Sequence, residues 1–341
     1  MHEIDQRDRE LLNVLQGEVP LASTPYAILG QMIDMSEKEV LKRCERLRRD
    51  GSLKQISGVF DSRALGYRTC LVAARIDGDD IERAASVINM HPGVSQNYKR
   101  NHDFNVWFTI AIPPNSRLGL ERTVDLLGEE AGAEVVRMLP TLKLFKSSSG
   151  DSSETLHESA PSDEKREPLT EGDIEVVRVL QKDLPLQPRP FDAVAKTINL
   201  SGEEFLETAR TLQKRNQLRR FSATVQLRRP FVASAMGVWA VPDERADEIG
   251  KRMASHKSVS QCYLRPTYED WPYNVFTTVH GRSVDECEAV LHEIADETAI
   301  TQMRALFPMK EFKRSRLALF APEFDAWESA HLGNRAETAA S

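Results

Sequence analysis

Two polar segments of the sequence carry side chains suited to binding an anion and moving a proton. They read SQNYKRNHDFNVWF at residues 95–108 and SQCYLRPTYEDWPYNVF at residues 260–276. In the first, strand-like alternation places Tyr98 and Arg100 on one face with Gln96, and His102 follows at the turn. A guanidinium donates paired hydrogen bonds to carboxylates, and an imidazole titrates near neutral pH. The segment therefore offers a phenol, a cation and an imidazole close together.

Structural roles also explain several of these side chains. Tyr98 and Tyr263 fit ordinary cross-strand packing, and Trp107 fits the core better than it fits stacking against a ligand. Asn105 and Asn274 fit hydrogen bonds that end a hairpin ladder. The residues alone leave both interpretations open.

The two segments belong to a duplication that covers most of the chain. DRELLNVLQGEVPLASTPY, from Asp8, aligns with DIEVVRVLQKDLPLQPRPF, from Asp173, at a spacing of 165 residues. The same spacing relates the tyrosines and the arginines of the two polar segments. Four extra residues in the second segment then widen the spacing to 169, so that Asn105 matches Asn274. Such a persistent spacing indicates repeated domains.

Each copy begins with a helical pattern. In the first copy, apolar residues recur at helix spacing from Leu11. Ser36 and Glu39 form a capping box for a third helix, and Gly51 is a stop signal. The order of two helices, a capped helix and a β-rich wing is typical of a winged helix-turn-helix.

The third helix of the first copy has a basic face, which is a candidate for contacts to phosphates. The basic residues are Lys38, Lys42, Arg43, Arg46, Arg48 and Arg49. A solvated helix face explains the same pattern. The equivalent helix of the second copy, LSGEEFLETARTLQKRNQL, has three glutamates in its N-terminal half, and the chain has a net charge of −7. Both features argue against a nucleic-acid partner.

The second part of each copy alternates between strand and helix patterns in the order β-α-β-β-α-β, which is the ferredoxin-like arrangement. The pattern predicts one final strand per copy, over 134–145 and 300–312, and places the last helix of the second copy from Val284 to Thr298. The sequence therefore predicts an α+β fold with two tandem copies of a winged helix-turn-helix plus a ferredoxin-like domain, paired as a pseudo-dimer. The expected ranges are 1–60 and 169–226 for the winged helices, 61–146 and 227–325 for the ferredoxin-like domains, 147–168 for a flexible linker and 326–341 for a tail.

Composition excludes several classes of protein. The chain is 40% hydrophobic and 28% charged, which is ordinary for a globular protein. No apolar run approaches the roughly 20 residues of a membrane helix, and the N-terminal MHEIDQRDRE lacks the order of a signal peptide, so we expect a cytoplasmic protein with no membrane partner. The 4 cysteines are scattered without a CxxC pair, which predicts neither a metal site nor a disulfide framework.

The layout resembles that of the Lrp/AsnC regulators, and the hairpins resemble those of a narrower family. NYKRNHDFNVWFTI and CYLRPTYEDWPYNVFTTVHGR are similar to the signature of the siroheme decarboxylases, an Lrp/AsnC-like family of carboxy-lyases. The resemblance implies removal of the C12 and C18 acetate carboxyls of siroheme, giving 12,18-didecarboxysiroheme in siroheme-dependent heme biosynthesis. It implies no cofactor beyond the iron of the substrate. A DNA-binding transcriptional regulator and a tetrapyrrole carrier are the alternatives.

Siroheme carries eight carboxylates, and loss of CO₂ from an acetate requires a proton, so the resemblance assigns roles to hairpin residues. It implies that His102 is a proton donor or a transition-state stabiliser, that Arg100 positions carboxylates and that Tyr98 supports them in catalysis. The expected substrate-binding residues are Lys99, Gln96, Asn105, Trp107, Gln261, Tyr263, Arg265, Tyr268, Trp271, Tyr273 and Asn274.

The sequence also departs from the family pattern. Gln96 and Gln261 stand where many members have a histidine, and Gln226 and Leu227 replace a basic segment. Glutamine does not titrate and is a poor iron ligand, which argues against an acid or axial role at 96 and 261. The altered segment of the second copy leads us to expect that one of two pockets is silent. We further expect the two halves to pair with each other, and a homodimer of the whole chain remains open.

Overall fold

A computed structural model describes residues 4–147, 167–225 and 233–338, with side chains up to residue 332. The chain divides into two compact units, and each unit draws on both sequence copies. Among the described residues, the first unit comprises 4–66, 167–225 and 318–321, and the second comprises 67–147, 233–317 and 322–338. Most of the expected linker, together with Gln226 and Leu227, lies outside the described residues.

The elements follow the duplication. The helices are α1 (Gln6–Gly17), α2 (Pro25–Met32), α3 (Glu37–Arg49), α4 (Ile81–Met90), α5 (Gly119–Ala131), α6 (Glu171–Leu180), α7 (Pro190–Lys196), α8 (Gly202–Lys214), α9 (Ala246–Ser255), α10 (Val284–Thr298) and α11 (Glu323–Thr338). The strands are β1 (Leu53–Phe60), β2 (Arg68–Arg75), β3 (Val94–Arg100), β4 (Val106–Ile112), β5 (Val135–Leu139), β6 (Lys143–Ser147), β7 (Leu218–Val225), β8 (Ala233–Trp239), β9 (Val259–Leu264), β10 (Val275–Gly281), β11 (Met303–Leu306) and β12 (Pro308–Arg314).

The first unit contains both helix-turn-helix segments, α1–α3 and α6–α8. Half of the predicted capping box of α3 is confirmed, because the Ser36 hydroxyl accepts a hydrogen bond from the Glu39 backbone N–H at 3.2 Å. The Glu39 carboxylate accepts from Arg43 at 2.9 Å. The predicted stop is confirmed as well, since Gly51 follows the helix with a φ of +83°, a conformation that glycine adopts without strain.

The predicted wing differs from the observed one. Among the described residues, α3 and α8 are each followed by a single strand, and these two strands, β1 and β7, pair with each other in an antiparallel ladder. Gly58 lies opposite Phe221 near its middle. An unpaired strand exposes a row of backbone donors and acceptors, and the second copy provides the partner for the first. The wing is therefore shared between the copies.

The second unit contains two ferredoxin-like sheets, as predicted. Each has the β-α-β-β-α-β order, and the strands lie in the orders β5-β2-β4-β3-β12 and β6-β9-β10-β8-β11. The fifth strand of each sheet comes from the other copy: β12 pairs with β3, and β6 pairs with β9. The two halves therefore form an intramolecular pseudo-dimer.

The prediction of one long final strand per copy is wrong. The sequence pattern covers residues 134–145 and 300–312 without a break, whereas the structure divides each into two strands in different sheets. Pro140 lies in the first break and Pro308 begins the strand after the second. Proline has no N–H for the ladder, so it favours strand ends, where the chain crosses to the other sheet.

Three apolar clusters hold the second unit together. One lies between the first-copy sheet and its helices, and a second lies in the equivalent place in the other copy. The third draws on both copies, with Trp107 from one and Trp271 from the other. Strand β2 serves two clusters by alternation, because Val72 faces the helices and Leu71 joins the shared cluster.

The expected tail is mostly the helix α11, which packs against the first-copy sheet and helices. Trp327 joins the apolar cluster there, with its ring centroid 4.5 Å from that of His91. The carboxylate of Glu328 accepts hydrogen bonds from the backbone N–H groups of Arg117, at 3.0 Å, and Leu118, at 3.3 Å, at the start of α5. None of the helices in the described ranges is long and apolar enough to cross a membrane.

Candidate active site

The second unit contains a cavity that is lined equally by the two copies. Its enclosed volume is about 80 Å³, within a concave region of about 630 Å³ that includes open solvent. The first copy contributes Leu71, Gln96, Tyr98, Arg100, Trp107 and Thr109, and the second contributes Met236, Gln261, Tyr263, Arg265, Phe276 and Thr278.

These lining residues form six pairs in the frame of the duplication, so the cavity has a pseudo-twofold axis. Four pairs keep the same residue, namely the glutamine, tyrosine, arginine and threonine pairs. Strand alternation explains the arrangement: Gln96, Tyr98 and Arg100 alternate along β3, and Trp107 and Thr109 alternate along β4. The sequence predicts one pocket per copy, whereas this cavity is shared.

Arg100 is the cation of the first-copy half. Its Nη1 donates a hydrogen bond to the backbone oxygen of Leu306 in the second copy at 3.2 Å, and its guanidinium lies 5.8 Å from the ring centroid of Tyr98. Burial lowers the pKa of Arg100 to about 10. Its Nε finds no acceptor among the described residues, and no carboxylate of that part of the chain forms an ion pair with it. A partly buried cation of this kind is suited to an anionic ligand.

Arg265 mirrors this geometry in the second-copy half. Its Nη1 donates to the backbone oxygen of Leu139 in the first copy, and its guanidinium lies 5.0 Å from the ring centroid of Tyr263 and 5.2 Å from that of Phe276. Each arginine therefore reaches across the pseudo-twofold axis to a strand-end carbonyl of the other copy.

Tyr98 adds a protonated phenol to the first-copy half. Burial raises its pKa, and the charge and hydrogen-bond acceptor of Glu311 on the exchanged strand β12 raise it further. The nearby cation of Arg314 acts in the opposite direction. The phenol therefore remains a hydrogen-bond donor at neutral pH.

His102 is not among the twelve residues that line the cavity. It lies in the turn after β3, where its Nδ1 accepts a hydrogen bond from the Phe104 backbone N–H at 3.0 Å. Its ring packs edge-on against Trp271 of the second copy, with centroids 5.2 Å apart. Burial lowers its pKa below the usual value, although Asp103 opposes this, and the ring is therefore neutral at pH 7. Because Nδ1 accepts a hydrogen bond, the proton of the neutral ring is on Nε2.

The two predicted asparagines have a structural position. The Asn105 side chain donates to the Ile76 backbone oxygen at 2.7 Å and accepts from the Ile76 backbone N–H at 3.1 Å. Asn274 makes the same pair of hydrogen bonds with Val241, at 2.8 and 3.0 Å. Both side chains therefore join strand ends, and neither lines the cavity.

The extra residues of the second hairpin pack against the first copy. The Tyr268 hydroxyl donates to the Met138 backbone oxygen at 2.6 Å, and Trp271 is fully buried in the shared apolar cluster. Tyr273 is buried in the same cluster. These aromatic residues support the hairpin, while Lys99 lies on the opposite strand face from Tyr98 by alternation. None of the four lines the cavity.

The structure thus places seven predicted residues in the cavity: Gln96, Tyr98, Arg100, Trp107, Gln261, Tyr263 and Arg265. The sequence argument missed Leu71, Thr109, Met236, Phe276 and Thr278. The sequence could have identified Thr109 and Thr278, because each lies four residues after the aligned asparagine of its copy. Each is also paired across the ladder with a cavity glutamine.

One cluster elsewhere in the second unit has donor atoms that would suit a metal ion. Ligand atoms of His256, Glu293 and Glu297 lie within 4.8 Å of one another. Both glutamates are exposed. None of the three lines the cavity.

Three of the six basic residues of α3, in the first unit, form ion pairs in the described part of the chain. Arg43 lies 2.9 Å from a carboxylate oxygen of Asp5 and 2.8 Å from one of Asp8, and Arg46 also pairs with Asp8. Arg48 pairs with a carboxylate of the second helix-turn-helix at 2.9 Å. These contacts leave less positive charge for phosphates than the sequence suggests.

Comparison with known proteins agrees with this architecture. The AsnC-like ligand binding domain matches residues 64–146 and 230–313, and the siroheme decarboxylase NirDL-like HTH domain matches residues 8–53 and 173–219. A siroheme decarboxylase of Hydrogenobacter thermophilus is 38% identical over 322 residues, covering 93% of this chain and 96% of that protein. A siroheme decarboxylase beta subunit of Methanosarcina barkeri is 36% identical over 44% of this chain and 100% of its own length.

Two solved structures extend the match to three dimensions. Crystal structures of the siroheme decarboxylase NirDL, alone and with an iron-uroporphyrin III analogue, each have a TM-score of 0.81 and 35% identity. Each covers 96% of this chain and 99% of the solved chain. The duplicated fold and the shared cavity define an AsnC-like enzyme with helix-turn-helix segments. The chain belongs to the siroheme decarboxylase family.

Proposed function

We propose that this protein is a carboxy-lyase that removes the C12 and C18 acetate carboxyls of siroheme and forms 12,18-didecarboxysiroheme for heme biosynthesis. The observation that carries the proposal is the pair of cavity arginines, each of which lies over a tyrosine ring and donates a hydrogen bond to a backbone carbonyl of the other copy. The names of the relatives support the substrate. We propose further that the enzyme works in the cytoplasm without a cofactor beyond the substrate iron.

The chemistry fits the cavity in charge and polarity. A carboxylate of siroheme accepts paired, charge-assisted hydrogen bonds from Arg100 or Arg265, which are stronger than their present bonds to backbone carbonyls. The rings of Trp107 and Phe276 provide flat apolar surface on either side of the axis. Substrate carboxylates thus replace Leu306 and Leu139 as guanidinium partners.

The enclosed volume requires such a rearrangement. Ligand pockets usually enclose about 300–1,000 Å³, which is more than the 80 Å³ enclosed here and comparable to the 630 Å³ of the wider concave region. Rotation of the two arginine side chains away from their carbonyl partners enlarges the enclosed space. The tetrapyrrole then takes the place of the guanidinium groups over the aromatic rings.

Each decarboxylation replaces a carboxylate by a proton. The carbon–carbon bond to the carboxylate breaks, CO₂ leaves, and the electron pair left on the methylene carbon takes up one proton to form a methyl group. Tyr98 lines the cavity and holds its proton, and His102 carries a proton on Nε2 at the adjacent turn. These two side chains are the proposed proton donors, and Arg100 positions the departing carboxylate.

The test is anaerobic incubation of the purified protein with siroheme, followed by mass spectrometry. The expected product is lighter than siroheme by the mass of two CO₂ molecules. Arg100→Ala should lose turnover, whereas Arg68→Ala should retain it, because Arg68 is exposed and pairs with Glu121 on the outside of the second unit. An unchanged siroheme mass with the unmodified protein would refute the proposal.

The two donor candidates are separated by variants that keep the shape of the side chain. Tyr98→Phe removes the phenol from the cavity, and His102→Gln keeps an acceptor for the Phe104 backbone N–H. The variant that retains siroheme binding, measured by absorption spectroscopy, but loses CO₂ release identifies the donor. Full activity in both variants would exclude both donors.

A further inference from the structure

The two exchanged strands align over five residues, of which three are identical and two differ. Strand β6 reads KLFKS, and the last five residues of strand β12, 310–314, read KEFKR at a spacing of 167 residues. The two lysines and the phenylalanine are kept in both. The positions that differ are Leu144 against Glu311 and Ser147 against Arg314.

The retained residues lie on the helix side of each sheet. Phe145 and Phe312 pack into the equivalent apolar clusters of the two copies. The lysines contact the neighbouring helix or its end: Lys143 with Asp247, Lys146 with the His256 backbone oxygen, Lys310 with Glu82, and Lys313 with the Asn89 backbone oxygen. These contacts hold the exchanged strands in place in both halves.

The residues that differ lie on the same sheet face as the cavity, next to its lining residues but not among them, and Glu311 and Arg314 are exposed. In the ladders, Glu311 is opposite Tyr98 and Arg314 is opposite Gln96, whereas Leu144 is opposite Tyr263. Ser147 is opposite Gln261. Directly paired residues of neighbouring strands share a face, and all four partners line the cavity.

The charges of the exchanged strand act on the cavity. Glu311 raises the pKa of Tyr98, after burial, through its charge and a hydrogen bond, and Arg314 lowers it. The first-copy half thus carries a carboxylate and a guanidinium at its edge. The second-copy half carries an apolar side chain and a hydroxyl at the same positions.

We propose that Glu311 and Arg314 fix the orientation of the substrate, a role that rests on the proposed function. The lining pairs are nearly symmetric, so they would hold an asymmetric tetrapyrrole in either of two orientations. Arg314 attracts a substrate carboxylate to the first-copy edge, and Glu311 repels one from the position beside Tyr98. Specificity is a difference between two binding free energies, and these charges provide it. One acetate is therefore decarboxylated first.

The test measures which singly decarboxylated intermediate accumulates when the reaction is stopped early. The unmodified protein should give mainly one of the two regioisomers, which NMR of the separated intermediates distinguishes. Glu311→Leu with Arg314→Ser copies the residues of the other half, and it should lower the isomer ratio at least about threefold, as expected for exposed charges. Adding Leu144→Glu and Ser147→Arg moves the charges across and should reverse the preference.

A single, more conservative variant tests the same role with less risk of misfolding. Glu311→Gln keeps the size and the hydrogen-bonding capacity of the side chain, and it should lower the ratio in the same direction. An equal mixture from the unmodified protein, or an unchanged ratio in active Glu311→Gln and in the active double variant, would overturn the orientation role. Absence of CO₂ release from the unmodified protein would instead refute the proposed function.

Discussion

Replacement of Arg100 by methionine should abolish decarboxylation without weakening the fold. Burial lowers the pKa of Arg100 to about 10, from a usual value above 12. That difference corresponds to about 3 kcal/mol that disfavours the charged form in the folded state. This free-energy cost of keeping the guanidinium charged destabilises the folded state at neutral pH, and it decreases only as the pH rises above 10.

The contacts of Arg100 offset part of this penalty. Its hydrogen bond to the Leu306 backbone oxygen is worth about 1 kcal/mol, and its stacking on Tyr98 and Trp107 is worth about 0.5–1 kcal/mol in total. Methionine keeps most of the apolar volume and removes the charge. The free energy of unfolding of Arg100→Met should therefore rise by about 1 kcal/mol.

The assay pairs urea denaturation with CO₂ release from siroheme. Arg68→Met is the matched control, since Arg68 is exposed and pairs with Glu121. The control should keep its activity and change stability by less than about 1 kcal/mol. A loss of more than about 1 kcal/mol in Arg100→Met, or full activity in that variant, would refute the view of Arg100 as a buried cation retained for an anionic substrate.

Three further predictions concern the second unit. Burial lowers the pKa of His91 to about 3, so below pH 6.5 the unfolded chain binds a proton that the folded chain does not. The free energy of unfolding should therefore be about 2 kcal/mol lower at pH 5 than at pH 7.5. Urea denaturation at the two pH values should show a smaller difference in His91→Gln. Asn105→Ala removes two hydrogen bonds to Ile76. It should lower the free energy of unfolding by about 2 kcal/mol and leave the Michaelis constant for siroheme unchanged. Glu328→Ala removes acceptors from the start of α5, and limited proteolysis should then cut within 323–338, which a resistant helix would contradict.

Much of the fold is readable from local signals. The predicted helix from Val284 to Thr298 agrees with α10 at both ends, because Ser283 caps its first turn. The duplication fixes the frame of the second copy, so one good helix or strand prediction serves both. The α+β order and the pairing of the two halves follow from the same frame.

The exchanged strands are not readable in the same way. The alternation of apolar residues continues through 134–145, and only the free edge of the other sheet determines that β6 leaves its own copy. Long-range pairing of this kind depends on which edges remain open after each domain folds. The sequence therefore predicted one strand where the structure has two.

The site was predicted in part for a related reason. Strand alternation identifies Tyr98 and Arg100 as neighbours on one face, and the duplication adds Tyr263 and Arg265. Residues in the hairpin turn, such as His102, have no alternation to fix their direction, so the sequence alone did not place them relative to the cavity. Contacts across the pseudo-twofold axis require knowledge of how the two sheets meet.

The most direct test of the account is a crystal structure of this protein with siroheme bound under anaerobic conditions. The account predicts one tetrapyrrole in the shared cavity, with substrate carboxylates within hydrogen-bonding distance of Arg100 and Arg265 and both guanidinium groups released from Leu306 and Leu139. A tetrapyrrole bound at another surface, with both arginines still on those carbonyl oxygens, would contradict it.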